Sequence, residues 1–193
     1  NVNLDVTNDL ILTSDAGNVY FRQNADSVVG SSMTVNAGGE VNFGYNADAV
    51  VGSNMTVDAG GRVFFDQYSD IDVNGTGDIS QYQTYDSRGS LTIDGASTFT
   101  VTAADSDLLL QQAGNNFVGT VTMNSTGGGS YQDVNFRNNF GPGAAVLSGL
   151  ESAGQLRNVT LFFDTATSLE LPGMDLTGNL SVDVPSGLIT QAD

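Results

Sequence analysis

The chain has 193 residues, a formal net charge of −17, 24 Gly, 3 Pro and neither Cys nor His. Its hydrophobic content of 39% excludes a disordered polyelectrolyte and allows one domain with a sizeable core. Without Cys or His there are no disulfides, zinc sites, thiol nucleophiles or imidazole bases. The five basic residues are all Arg (Arg22, Arg62, Arg88, Arg137 and Arg157) and are scattered, so nothing would neutralise phosphates and no nucleic acid is expected as a partner. No apolar run has membrane-spanning length and no signal peptide precedes Asn1, so the chain is expected to be soluble, without membrane insertion, and a mature or internal fragment.

Taken in chain order, the first feature is a repeat. NADSVVGSSMTVNAGGEVNF, from Asn24 to Phe43, returns as NADAVVGSNMTVDAGGRVFF, from Asn46 to Phe65, with 15 of 20 positions identical at a spacing of 22 residues. A period of that length means one structural unit stacked on a copy of itself. Sliding back one step sets Ile11 beneath Met33 and Met55, Val19 beneath Val41 and Val63, Phe21 beneath Phe43 and Phe65, and Gly17 beneath Gly39 and Gly61. Within each unit apolar and polar residues alternate, as in Met33-Thr34-Val35 and Val41-Asn42-Phe43, which is the strand period. Turn-forming runs such as Asn36-Ala37-Gly38-Gly39 separate these groups. Short strands joined by tight turns at fixed spacing describe an all-β fold, the parallel β-helix, with coils of about 22 residues.

That stack gives each residue type a place. Val6, Val28 and Val50 are expected to form one inward column, Ile11, Met33 and Met55 a second, and Phe21, Phe43 and Phe65 an aromatic third. Val41 and Val63 continue the line of Val19. Asn24 and Asn46 fall in register at a turn, where stacked amides can hydrogen-bond along the rod. Gly30 with Gly52, and Gly39 with Gly61, are expected at positive-φ corners. Regular repeats occupy residues 2–65 and less regular coils residues 66–193, all in one domain spanning 1–193.

Beyond Phe65 strand-like pieces continue at Ile71–Val73, Leu91–Ile93, Phe99–Val101, Leu108–Leu110, Val121–Met123, Val134–Phe136, Val159–Leu161, Leu169–Leu171 and Leu180–Val182. Helix is expected for no more than a turn or two, near Leu147 to Leu156. The segment from Asn138 to Leu156, with Phe140-Gly141-Pro142-Gly143, is the expected place for a loop to leave the rod. With coils of about 22 residues stacked about 4.8 Å apart, the chain makes roughly nine coils and a rod of roughly 40 Å.

The sharpest chemical motif runs from Asp70 to Gln81. Asp70, Asp72, Asn74 and Asp78 stand at positions one, three, five and nine of a calcium-loop pattern, with Gly75 at six. Gln81 replaces the bidentate Glu of position twelve, and neither flank is helical. The same letters also describe a strand with Ile71 and Val73 pointing inward, followed by an Asn74-Gly75 bend. No other cofactor is expected. The 22 acidic residues read as a solvated face that keeps a strand-rich rod from sticking to itself, with diffuse cation binding.

An enzyme reading would use paired carboxylates, Asp70 with Asp72 or Asp105 with Asp107. No basic clamp or aromatic-rich cleft accompanies them, and a chain of this charge would repel an anionic polysaccharide, so the chain is not expected to be an enzyme. Thr98, Thr100 and Thr102 alternate as an ordered hydroxyl row would, but the row does not recur at 22 residues. Tyr82, Tyr85 and Tyr131 would stack on sugars if exposed and fill corners if buried.

Two stretches resemble a known family. AGNNFVGTVTM (Ala113 to Met123) and SLELPGMDLTGNLSVDVPSGLITQ (Ser168 to Gln191), with Gly114-Asn115-Asn116-Phe117, Gly178-Asn179-Leu180-Ser181-Val182 and Gly187-Leu188-Ile189-Thr190-Gln191, resemble the repeats of filamentous haemagglutinin-like bacterial exoproteins. The resemblance implies a right-handed parallel β-helix exported to the extracellular bacterial cell surface, acting as an adhesin or as the shaft that displays one, with a host or cell-surface glycan as a candidate partner. The family's secretion and binding regions have no counterpart here. A carbohydrate-binding or polysaccharide-cleaving β-helix is the alternative.

Solenoids close their ends with atypical caps. The alternating Val2, Leu4 and Val6 at one end, and Gly187 to Asp193 at the other, show none. The expectation is therefore self-association end to end into a fibre, or tandem copies in a longer chain.

Overall fold

The computed structural model describes residues 3–66, 70–73, 77–81, 85–87, 90–93, 96–101, 104–139, 147–150 and 155–191; from 70 to 90 it describes the backbone. The first coil contains β1 (Asn3–Val6), β2 (Leu10–Ser14) and β3 (Val19–Phe21). The second contains β4 (Asp26–Val29), β5 (Met33–Ala37) and β6 (Val41–Phe43), and the third β7 (Asp48–Val51), β8 (Met55–Ala59) and β9 (Val63–Phe65). Next come β10 (Asp70–Val73), β11 (Gly77–Gln81) and β12 (Tyr85–Ser87), then β13 (Ser90–Ile93), β14 (Ser97–Val101) and β15 (Ser106–Leu110). The sixth coil has β16 (Asn116–Phe117), β17 (Val121–Ser125) and β18 (Tyr131–Asn138). Five further strands follow: β19 (Leu147–Ser148), β20 (Asn158–Phe163), β21 (Ser168–Leu171), β22 (Leu180–Asp183) and β23 (Leu188–Gln191).

Through the sixth coil each strand pairs in parallel with the strand three elements on, so three sheets wrap one core. Sheet A has the order β1-β4-β7-β10-β13-β16, sheet B β2-β5-β8-β11-β14-β17-β19, and sheet C β3-β6-β9-β12-β15-β18-β20-β22; β21 and β23 form a two-stranded sheet. The fold is a parallel β-solenoid of about seven turns. The coil length is not constant: Asp70 pairs with Ser90, 20 residues on, whereas Leu108 pairs with Val134 and Val121 with Leu147, each 26 residues on. All nine strand-like pieces read beyond Phe65 are strands. Where a helix was expected, Leu147–Ser148 is strand, Leu150 is in a 3-10 turn, and residues 151–154 lie outside the described ones. Of the segment expected to loop out, Asn138 ends β18 and is buried.

Met33 sits directly against Met55, and Val41 against Val63. Phe21, Phe43 and Phe65 stack with ring centroids 4.4 Å and 5.2 Å apart and near-parallel planes. A second aromatic file, Phe99, Phe117, Phe136 and Phe163, continues the core with spacings of 6.0, 5.2 and 5.9 Å in edge-on and tilted geometries, as ring quadrupoles prefer. At the corner between sheets C and A, Asn46 Nδ2 donates to Asn24 Oδ1 (3.2 Å). Further along, buried Asn115 accepts from the Leu91 N–H and donates to the Leu110 carbonyl, and buried Asn138 does both with Phe117.

Three expectations are corrected. The first coil is one residue longer than the second, because Asp15-Ala16-Gly17-Asn18 joins β2 to β3 where Gly38-Gly39-Glu40 joins β5 to β6. Before that insertion the true step is 23, so Leu10 lies beneath Met33 and Val6 beneath Val29. Ile11 pairs with Thr34 and is 68% exposed. Val28 and Val50 do stack on each other, but outside, at 49% and 40% exposure; the inward valines are Val29 and Val51. Last, Gly30, Gly39, Gly52 and Gly61 are not at positive φ; among the described residues that conformation is held by Asn24, Asn46 and Asp105 and by Gly127, Gly128 and Gly149. Close approach explains Gly52 instead: a Cβ there would lie 2.4 Å from the Gly30 carbonyl oxygen of the coil below.

The corrected register makes a paired prediction. Val28→Thr should change urea unfolding by less than about 0.5 kcal/mol, as exposed substitutions do. Val29→Thr, equal in shape, should cost about 1–3 kcal/mol by burying an unsatisfied hydroxyl. Equal losses would restore the earlier column.

Candidate functional site

The calcium-motif residues do not share one loop. Asp70 and Asp72 lie on β10 in sheet A and Asp78 on β11 in sheet B; Asn74 lies outside the described residues. Asp72 is in register with Val50 below and Thr92 above, and Asp78 with Thr56 and Thr98. Among the described residues no three His, Cys, Asp or Glu side chains are grouped to hold a metal ion.

Of the carboxylate pairs, Asp105 occupies a left-handed turn (φ 56°) and Asp107 lies two residues later on β15. Asp107 belongs to a ladder that the 22-residue period does not reveal. Opposite it β18 carries an extra residue, the register shifting between Ser106 and Leu108, and this bulge turns the Asp133 N–H onto Asp107 Oδ1 (3.1 Å). Asp133 in turn accepts both guanidinium branches of Arg157, Nε at 2.9 Å, and Asn158 Nδ2 at 3.0 Å. Asn158 Oδ1 receives the Asn179 N–H (3.1 Å) from the next coil.

The two carboxylates are driven apart. Burial raises the Asp107 carboxyl above its ordinary value, partly opposed by the Asp133 N–H, whereas the Arg157 hydrogen bonds hold Asp133 below it. Asp133 thus has both oxygens engaged. The ladder ties coils together across the bulge, and its charge pair is what the irregular step length concealed.

A different arrangement lies on the outer face of sheet C. Tyr20, Asn42 and Phe64 are in register on consecutive strands. Tyr20 is 51% exposed, and its hydroxyl accepts a 2.5 Å hydrogen bond from Asn18 Nδ2. Asn18 is fixed because its Oδ1 takes the Glu40 N–H (2.8 Å). Beside this column an open groove of about 410 Å³ is lined by Tyr20, Phe21, Arg22, Gln23, Asn42, Gly44 and Asp66. A second, of about 330 Å³, follows the turn after sheet B past Thr13, Asn36 and Asp58.

Of the hydroxyl row, Thr98 pairs with Thr122, whose Oγ1 lies 3.0 Å from Ser148 Oγ, whereas Thr100 is buried and faces Asn124. Tyr131 fills the interior, donating to the Phe99 carbonyl at 2.6 Å, and burial pushes its phenol far up. Tyr82 and Thr102 lie outside the described residues, and Tyr85 is on β12.

A family model described as repeats of unknown function (DUF5649) matches residues 52–124, a span reaching from the turn before β8 to β17. No curated protein and no solved structure matches the chain.

The ladder predicts opposite pH signatures. Asp107→Asn keeps the acceptor for the Asp133 N–H and removes a disfavoured charge. It should raise the melting temperature at neutral pH, the gain fading as pH falls through the carboxylate range, where Asp107 itself becomes protonated. Asp133→Asn should lower the melting temperature at neutral pH, because the stabilisation of a depressed carboxylate is present above its unfolded pKa and lost as pH falls through the folded one. Melting curves across that range check both signs.

Proposed function

We propose that this repeat solenoid is a shaft segment of an extracellular, surface-displayed adhesive protein of the filamentous haemagglutinin type, continued end on by further coils of its own polypeptide or of another copy. The observation that carries the reading is the ladder core. Coil after coil places like residues on like, from Met33 on Met55 to Phe43 on Phe65, an arrangement that yields stiffness and length and propagates without limit.

The outermost coils support continuation. Leu4, Val6, Leu10, Leu12 and Val19 are half-exposed where their equivalents one coil on are buried. At the opposite end Leu180, Leu188 and Ile189 are 44%, 71% and 47% exposed. Parallel strands with open edges and uncovered apolar side chains are completed by another coil of the same kind. The acidic exterior limits sideways association while leaving the ends available.

Electron microscopy across a concentration series tests the reading. Rods should join into multiples of one rod length, and Leu188→Asp with Ile189→Asp should return them to single rods without lowering the melting temperature. Single rods at every concentration, or side-by-side bundles, would count against end-on growth. Staining of unpermeabilised producing cells with an antibody to the chain tests surface display.

A further inference from the structure

We infer that the groove beside Tyr20 is a binding subsite for a neutral saccharide, with the Tyr20 ring as the stacking platform. The inference rests on the adhesive reading above and names what the shaft's surface would hold.

Tyr20, Asn42 and Phe64 stand in register on successive coils with three different side chains, of which Tyr20 is half-exposed and Phe64 is buried. Asn18 precedes β3 where Glu40 precedes β6, and the Glu40 N–H orients the Asn18 amide so that Nδ2 meets the Tyr20 hydroxyl. Tyr20 therefore stands half-exposed but held, which limits the entropy lost when a ligand stacks on it. With its oxygen accepting from Asn18, the phenol proton remains for an incoming oxygen.

Three of the side chains that line the groove beside the ring have unused hydrogen-bonding capacity: Arg22, Gln23 and the Asn42 amide make no side-chain hydrogen bond among the described residues, and Asp66 closes the far wall. An aromatic face ringed by amide and guanidinium groups matches a pyranose, whose C–H face is apolar and whose rim is hydroxyls. The volume of about 410 Å³ falls at the low end of ligand sites, about 300–1,000 Å³, as one or two sugar rings require. Charge selects among sugars. One Arg and one Asp line the groove in a chain of net charge −17, so uronates and sialosides are disfavoured by long-range repulsion and neutral hexosides are not.

Amide-resolved NMR titration of the intact chain tests this, with mannohexaose, cellohexaose and N-acetylchitohexaose as neutral probes and hexagalacturonate as the anionic one. At least one neutral probe should give saturable shifts at Tyr20, Arg22, Gln23 and Asn42. Tyr20→Ala should weaken that binding about tenfold, near the upper value of one aromatic contact, while Tyr20→Phe keeps most of it. Circular dichroism melting confirms that both variants fold. No saturable shift with any neutral probe, shifts unchanged in Tyr20→Ala, or binding of hexagalacturonate alone would overturn the inference. Rod ends and groove are separate, so microscopy that shows no end-on growth leaves this result readable, and a silent groove leaves the shaft standing.

Discussion

The structure depends on the hydrogen bonds that each coil makes to the next. Because those bonds are parallel and nearly in register, every side chain lies beside its own equivalent about 4.8 Å away. For apolar residues this multiplies a favourable contact: Phe43 has a ring above and a ring below. For charges it multiplies an unfavourable one, and the repeat relieves that at chosen places. Glu40 becomes Arg62 one coil on, giving an ion pair at 3.9 Å with the guanidinium also lying 4.7 Å from the Phe64 ring. Asn36 becomes Asp58, so that an amide and not a second carboxylate sits beside the acid. Asp26 stands over Asp48, on a surface where water screens the repulsion.

Coil length is the variable that this constraint leaves free. A turn can gain a residue as long as the flanking strands recover their register, and where that happens polar side chains replace repetition as the tie between coils. The Asp107, Asp133, Arg157 and Asn158 ladder surrounds the bulge of β18. The C-to-A corner shows the same exchange in depth. Asn24 and Asn46 meet amide to amide at the surface, while Asn115 and Asn138 turn inward and satisfy backbone groups that the longer coils leave unpaired.

This explains what the letters disclosed. Strand positions and the parallel stack were legible, because alternation and a constant step both follow from the pleat and from in-register pairing. The Val28 and Ile11 columns were misread because a slip of one residue reverses every side chain on a strand, and a one-residue insertion among Asp15, Ala16, Gly17 and Asn18 leaves no mark on composition. In the regular repeats Asn24 and Asn46 hold the positive φ expected of glycine, while glycines such as Gly52 answer the closeness of neighbouring turns. The polar ladder was illegible for a different reason: its steps, from 21 to 26 residues, break the periodicity by which a one-dimensional reading finds neighbours, and the second aromatic file draws its rings from three different sheets.

The contrast between inward and outward columns bears on how such a rod acquires a ligand. An inward substitution must suit the residues above and below it, as well as those across the core, and the inward columns vary within small or apolar side chains, as in Leu4, Ser27 and Ala49 or Leu10, Met33 and Met55. The outer face of sheet C is freer: Tyr20, Asn42 and Phe64, the last covered by Arg62, show three chemistries in three successive coils without disturbing the Phe21, Phe43 and Phe65 stack behind them. Rigid backbone supplies fixed spacing, and unconstrained outward side chains supply variety. A surface built this way can present a short, specific patch on an otherwise uniform shaft, as at Tyr20, whose ring Asn18 orients.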